Sequence, residues 1–194
     1  EIPSFSYLSK SFLREFSSYV SGVICVSSKN KDESISLGLT KDSKCIVLNN
    51  GIDKSRFYIK DKIECRKKMG FPLQDFIIIF VGAFIERKGS KRVSQAIKIL
   101  SDDKVKSIFI GRGNDAPTCK GVLYSDSVEN DKIIDFLNCA DVFVLPTLKE
   151  GCCNAIIEAM ACGLPIISSN LSFNDDILNE INSIRINPYD VNKL

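Results

Sequence analysis

The chain has 194 residues, of which 44% are hydrophobic and 26% charged; these are the values of a globular protein and exclude a disordered one. Its 26 basic and 24 acidic residues leave a net charge of +2, which gives no electrostatic reason to expect nucleic acid as a partner. The chain contains no histidine, so a Ser-His-Asp triad, a Cys-His pair and a histidine metal site are excluded within these residues.

The eight cysteines are spaced without a C-x-x-C pair, and several of them lie in or beside apolar runs. Free thiols in such positions behave as small hydrophobic groups. The spacing therefore favours a reduced, cytoplasmic chain over a disulfide-bonded one. No apolar run approaches the ~20 residues that are needed to span a bilayer, and no targeting segment is visible.

The first 49 residues predict a helix followed by a strand–helix–strand unit. Apolar side chains recur at helical spacing at positions 5, 8, 12, 16 and 19. The apolar runs 23–26 and 45–48 predict two strands, and the segment between them predicts a helix that ends by Gly38. The sequence Asn-Asn-Gly at 49–51 then breaks the pattern, which indicates a domain junction.

From residue 61 onward, helical and strand patterns alternate. Asp61 and Glu64 have the spacing of a capping box before a short helix that ends at Gly70. The continuous apolar run 76–81 is typical of a strand that is buried on both faces. Three further helical patterns alternate with strands at 107–110, 142–145 and 166–167. This alternation predicts a doubly wound α/β domain with a parallel sheet.

Ligands of open α/β sheets bind beyond the carboxyl ends of the strands, and the loop after strand 76–81 is one such place. Arg87 and Lys88 lie there, at the start of the next helix, where cations oppose the helix macrodipole. An anion bound at that end would reverse this penalty. The alternative is a solvated pair that Glu86 partly neutralises, and the pattern alone leaves both interpretations open.

The loop after strand 142–145 carries more chemistry. Glu150 lies in the loop, Asn154 is a candidate helix cap, and Glu158 lies about one turn into the following helix. Both carboxylates could therefore face one ligand and accept hydrogen bonds from sugar hydroxyls, or they could only complement the helix dipole. Cys152 and Cys153 lack the histidine base that a cysteine nucleophile normally uses, which disfavours thiol catalysis.

Two other strand ends give weaker signals. Gly111-Arg112-Gly113 is a lone G-x-G that lacks the third glycine of the dinucleotide fingerprint, so it predicts either a ligand loop or a simple turn. Its spacing also disfavours a nicotinamide-dependent oxidoreductase. Ser168-Ser169-Asn170, with Asp175 and Asp176 after it, has the composition of an ordinary turn, and a ligand role stays open.

Several segments together resemble the retaining group 1 (family 4) glycosyltransferases of GT-B fold. The segment 150–158, E-G-C-C-N-A-I-I-E, resembles the E-x7-E motif of that family. The segments V-S-S-K-N (26–30), N-G-I-D (50–53), F-V-G-A-F-I-E-R-K-G (80–89) and A-D-V-F-V-L-P-T (140–147) resemble other family positions in the same order. The chain departs from the family at Ala83, where arginine is usual, and after Ser169, where Asp175 or Asp176 could replace a glutamate.

The resemblance implies a GT-B architecture, which has two Rossmann-like domains with a cleft between them. Residues 1–49 would be the C-terminal part of the N-terminal, acceptor-binding domain. Residues 50–194 would be the nucleotide-sugar-binding domain, ending before the family's final helices. On this basis the 194 residues are expected to bind donor without transferring sugar efficiently.

The resemblance also implies a function and a set of site residues. The enzyme would move a hexose from a UDP- or GDP-sugar to a glycan or lipid-linked acceptor, with retention and without a metal or other cofactor, in surface polysaccharide or glycolipid biosynthesis. The implied catalytic residues are Glu150, Lys88 and Arg87. The implied donor-binding residues are Gly82, Lys88, Gly111, Glu150, Gly151, Cys152, Cys153, Asn154 and Glu158.

Within these roles, Glu158 would hold the ribose, Glu150 the transferred sugar, and Lys88 the diphosphate, while the Gly111 loop and residues 121–122 would lie near the base. A lipid-linked acceptor would place the cytoplasmic enzyme at the inner face of a membrane, through its N-terminal domain. The alternative function is a noncatalytic nucleotide-sugar binding module of the same fold.

Overall fold

The computed structural model of the chain describes residue 15 and residues 17–194. It divides into two units, Glu1–Asn50 and Gly51–Leu194. Of the predicted first helix, positions 5, 8, 12 and 16 lie outside the described residues, and Tyr19 is exposed rather than buried. Among the described residues, no helix is both long and apolar enough to cross a bilayer.

The first unit contains the predicted strand–helix–strand arrangement. Strand β1 (Val23–Cys25) pairs in parallel with β2 (Cys45–Val47), and helix α1 (Ser28–Ser36) connects them. The side chain of Ser27 caps α1 by accepting a hydrogen bond from the Asn30 amide.

The second unit alternates helices and strands along the chain. In chain order its elements are α2 (Lys62–Met69), β3 (Phe76–Val81), α3 (Ser90–Leu100), β4 (Val105–Ile110), β5 (Val122–Asp126), α4 (Ile133–Cys139), β6 (Val142–Leu145), α5 (Asn154–Ala161), β7 (Ile166–Ser169) and β8 (Ser183–Ile186). Asp61 caps α2 as its spacing with Glu64 predicts, and Gly70 ends that helix in the left-handed conformation.

All six strands of the second unit form one parallel sheet in the order β5-β4-β3-β6-β7-β8. The chain moves outward from β3 to β5, returns to β6 beside β3, and then moves outward in the opposite direction. This order confirms the predicted doubly wound parallel sheet. Strands β5 and β8, which form the two edges of the sheet, do not follow from the sequence pattern.

The core lies around the central strands β3, β4 and β6. Fully buried side chains of these strands include Ile79, Phe80, Phe109 and Phe143. The register places Ile79 opposite both Ile108 and Phe143, so these three residues fix the alignment of the central strands. Because all three side chains are fully buried, a shift in register would disrupt their packing.

The glycines of the G-x-G segment allow two loops to approach closely. Phe84 donates its amide to the Arg112 carbonyl at 2.8 Å, and Asp115 donates its amide to the Phe84 carbonyl at 2.9 Å. A Cβ atom on Gly111 would overlap the carbonyl oxygen of Gly82, and one on Gly113 would overlap that of Phe84. The loop after β4 therefore needs glycine at both positions to lie against the loop after β3.

We expect Gly111→Ala to lower the free energy of unfolding by about 1–3 kcal/mol, because the new methyl group must push two backbones apart. Gly51→Ala is the matched control, since a Cβ atom there meets nothing within 4 Å. Chemical denaturation of both variants checks the expectation. Equal stability of the two variants would show that the loops can separate without cost.

Candidate functional site

The candidate site lies between β3 and β6, where the order in which strands are added to the sheet reverses. Strands β3 and β6 are neighbours and parallel, so their carboxyl ends meet at the same edge. The loop 82–89 follows β3, and the loop 146–153 follows β6. In doubly wound sheets this switch point forms a crevice that holds ligands.

The Glu150 carboxylate is the centre of a polar cluster at this edge. Its Oε1 atom accepts hydrogen bonds from Lys88 Nζ at 2.6 Å and from Thr147 Oγ1 at 2.7 Å. Arg87 Nη1 lies 3.5 Å from the same oxygen and donates to the Lys149 carbonyl at 2.6 Å. The side chains of Lys88 and Glu150 are only 17% and 10% exposed, so water screens their attraction weakly.

The structure thus brings together Arg87, Lys88 and Glu150, the three residues that the sequence analysis expects in catalysis. The expected partial neutralisation of the two cations by Glu86 is wrong, because Glu86 pairs with Arg92. Of the two cations, Arg87 is 45% exposed to solvent and Lys88 is largely buried. Two cations beside one carboxylate leave an excess of positive charge. Such a cluster is suited to a phosphate or diphosphate group.

The start of α5 lies one residue earlier than the candidate cap Asn154 predicts. Cys153, not Asn154, occupies the cap position, and Asn154 is the first residue of the helix. Gly151 and Cys152 are partly exposed in the loop that leads to this helix. These residues therefore lie between Glu150 and the amino end of α5, where backbone amides favour a negatively charged ligand.

Glu158 lies within α5, and its side chain is partly buried. Burial raises the pKa of the Glu158 carboxyl above its ordinary value of 4.5, and attraction by the Arg56 guanidinium opposes the shift. Burial therefore makes ionisation of this carboxyl less favourable than in water, and shifted pKa values of this kind are common among functional residues.

Gly82 and Gly111 lie side by side at the same edge of the sheet. The Gly82 amide donates to the Ile110 carbonyl at 2.9 Å, and the Gly111 amide donates to the Asp126 carbonyl at 3.0 Å. Gly82 is the first residue of the loop that carries Arg87 and Lys88, and Gly111 lies beside it. Their contact with a donor stays a prediction.

The segment Ser168-Ser169 is not the turn that its composition predicts. Both residues belong to β7 and are fully buried. The Ser168 hydroxyl donates to the Leu145 carbonyl, and the Asn174 amide group donates to the Ser169 carbonyl. Asp175, a candidate replacement for the family's glutamate, pairs with Arg185.

Two residues of the site were missed by the sequence analysis. Thr147 is fully buried and donates its hydroxyl to Glu150; its signal was a polar residue two positions beyond an entirely apolar strand. Arg92 is 8% exposed and donates to the Pro146 carbonyl at 2.9 Å. A basic residue in the first turn of a helix gave no signal for such burial.

Comparison with known families gives one matching family model, described as glycosyl transferases group 1, over residues 75–194. The putative teichuronic acid biosynthesis glycosyltransferase TuaC of Bacillus subtilis is 36% identical to the chain over 166 residues, which are 84% of this chain and 41% of that protein. The UDP-Gal:alpha-D-GlcNAc-diphosphoundecaprenol alpha-1,3-galactosyltransferase of Escherichia coli is 27% identical over 191 residues, or 87% of this chain and 48% of that protein.

Among solved structures, Anabaena Alr3699/HepE in complex with UDP-glucose matches 95% of this chain and 56% of its own, with a TM-score of 0.77 and 17% identity. At this identity the match establishes the fold, which is the α/β fold of the GT-B glycosyltransferases. The chain spans less than half the length of the two relatives named above.

The two adjacent cysteines are expected to differ sharply in reactivity. Burial raises the pKa of the Cys153 thiol to about 11, so about one thiol in a thousand is ionised at pH 8. Cys152 is partly exposed. Iodoacetamide at pH 8 should therefore modify Cys152 and leave Cys153 intact in the folded protein, as fragment mass spectrometry of the shared peptide can establish. Similar labelling of both thiols before unfolding would contradict the burial of Cys153.

Proposed function

The chain belongs to the group 1 glycosyltransferases, and we propose that it binds the nucleotide-sugar donor of a hexosyltransferase. The proposed enzyme is a retaining, metal-independent member of family 4. It moves a hexose from a UDP- or GDP-linked sugar to a glycan or lipid-linked acceptor in surface polysaccharide or glycolipid biosynthesis. The observation that carries the proposal is the cluster of Arg87, Lys88 and Glu150 at the switch point of the sheet.

The names of similar proteins support the proposed nucleotide-sugar donor and the proposed part in polysaccharide or glycolipid biosynthesis. TuaC is named for teichuronic acid biosynthesis, and the Escherichia coli relative is named for a UDP-galactose donor and a diphosphoundecaprenol-linked acceptor. The Anabaena structure contains UDP-glucose. These names favour a uridine donor over a guanosine one, and they favour a lipid-linked or polymeric acceptor.

Each site residue has a role that its position permits. Lys88 and Arg87 would hold the diphosphate, since their charges exceed that of Glu150. Glu150 would accept hydrogen bonds from hydroxyls of the transferred sugar, and Glu158 from the ribose hydroxyls. Gly82, Gly111 and the backbone from Gly151 to Asn154 would line the site, because all lie at the same edge of the sheet.

The proposed reaction breaks the bond between the anomeric carbon and the diphosphate oxygen and joins that carbon to an acceptor hydroxyl oxygen. The proton of that hydroxyl passes to the departing diphosphate. Negative charge grows on the departing diphosphate while the sugar becomes oxocarbenium-like. Lys88 and Arg87 would stabilise the first charge, and the Glu150 carboxylate is complementary to the second. Loss of one such fixed donor typically lowers the rate by ~10²–10³.

We assign donor binding to residues 50–194 and propose residues 1–49 as the end of an acceptor-binding domain. Because the chain spans 41% and 48% of the two relatives, transfer is proposed for the whole protein rather than for these 194 residues. A lipid-linked acceptor would place that protein at the inner face of a membrane.

Calorimetric titration with UDP, GDP, UDP-glucose and GDP-mannose tests the proposed function. We expect saturable binding of one nucleotide pair, with UDP preferred. Glu158→Ala should weaken binding by about tenfold to a hundredfold, the value of lost hydrogen bonds to a charged group. Glu180→Ala removes an exposed carboxylate elsewhere and should bind like the unmodified chain. The absence of binding to all four compounds would refute the proposal.

Donor affinity should also depend on pH through Glu158. Burial raises the pKa of this carboxyl in the free protein, and a ribose hydroxyl bonds best to its ionised form. Affinity for UDP-glucose should therefore rise as the pH increases through the raised pKa, and become constant above it. In Glu158→Gln this rise should disappear, since the amide does not titrate. An unchanged pH profile in that variant would exclude Glu158 as the titrating group.

A further inference from the structure

Arg92 connects the two loops that carry the candidate site. It lies in the first turn of α3, and its guanidinium group is buried between the loop after β3 and the loop after β6. Nη1 donates to Glu86 Oε1 at 2.6 Å, and Nη2 donates to the Pro146 carbonyl at 2.9 Å. One planar group thus joins the segment that bears Lys88 to the segment that bears Glu150.

Gly89 makes room for this guanidinium. Its backbone has φ of +86°, in the left-handed region that favours glycine. A Cβ atom at this position would lie 2.6 Å from Arg92 Nη2. The glycine next to Lys88 therefore allows Arg92 to lie against the turn that presents the lysine.

Stability alone does not explain the position of Arg92. A cation in the first turn of a helix opposes the helix macrodipole. Its Nε atom is buried and has no hydrogen-bond partner among residues 15 and 17–194, which adds a desolvation cost. The charged partner Glu86 is largely exposed and would stay solvated without the arginine. The hydrogen bonds to Glu86 and to the Pro146 carbonyl hold the two loops together against these two costs.

We propose that Arg92 is a positioning residue that fixes the separation between Lys88 and Glu150, and so selects nucleotides that carry a sugar. The inference rests on the proposed function, in which Lys88 holds the diphosphate and Glu150 the sugar. A nucleoside diphosphate would contact Lys88 and, through its ribose, Glu158 in α5, whereas a nucleotide sugar must also contact Glu150 in the loop after β6. Correct loop separation therefore matters most for the sugar-bearing ligand.

The test compares the affinities of UDP and UDP-glucose, or GDP and GDP-mannose if guanosine is preferred, for Arg92→Met. This side chain keeps the apolar packing but removes the two hydrogen bonds that Arg92 makes to the loops, so that the backbone bond from the Leu148 amide to the Arg87 carbonyl remains between them. We expect UDP-glucose to bind about tenfold more weakly, which is the effect of losing one hydrogen bond between the Glu150 carboxylate and a sugar hydroxyl. UDP, which lacks the sugar, should bind almost unchanged. Lys98→Met is the control, because it removes one positive charge from the same helix. Among residues 15 and 17–194, the Lys98 ammonium group donates only to the Thr118 hydroxyl.

Arg92→Lys separates bridging from charge. Lysine keeps the charge but lacks the planar guanidinium group that reaches two acceptors. The preference of this variant protein for UDP-glucose over UDP should therefore also fall. This variant decides the question if Arg92→Met does not fold. Equal weakening of both ligands, full recovery in Arg92→Lys, or the same change in Lys98→Met would overturn the positioning role. If the unmodified chain binds neither ligand, the proposed function itself fails.

Discussion

The pairing of β3 with β6 is the constraint on which the candidate site depends. Two helices and two strands separate these elements in the chain, yet Ile79 and Phe143 lie opposite each other and are fully buried. The same contact that closes the core brings the loop with Lys88 beside the loop with Glu150. The cluster is therefore a consequence of core packing, since neither loop could form it alone.

The excess positive charge of the cluster is complementary to an anionic ligand. Burial of Lys88 and Glu150 costs solvation energy, and their contact at 2.6 Å counteracts that cost. Glu150 also reduces the repulsion between Lys88 and Arg87, but one carboxylate does not balance two cations. A diphosphate would supply the remaining negative charge. Burial also raises the pKa of the Glu158 carboxyl, so a hydrogen-bond donor placed against its ionised form would be favourable there.

Local sequence patterns predicted the strands that are buried on both faces. Strands 76–81 and 142–145 match their predicted bounds, because strands between two layers of helices are continuously apolar. The edge strands β5 and β8 mix polar and apolar residues and gave no such run. Ser168 and Ser169 resembled a turn because hydrogen bonds within the fold, invisible in sequence, satisfy them. Arg92 was missed for the same reason, as its Pro146 partner lies 54 residues away.

The first turn of α3 also contacts a third loop, the one that follows β4. The Ser90 hydroxyl donates to the Asp115 carbonyl at 2.7 Å, and Lys91 pairs with the Asp115 carboxylate at 2.6 Å. Asp115 in turn donates its amide to Phe84, where Gly113 permits close contact. Together with Arg92, these bonds tie the loops after β3, β4 and β6 to one helical turn. The G-x-G segment thus shapes the site through backbone packing, so its glycines are required whether or not they contact the ligand.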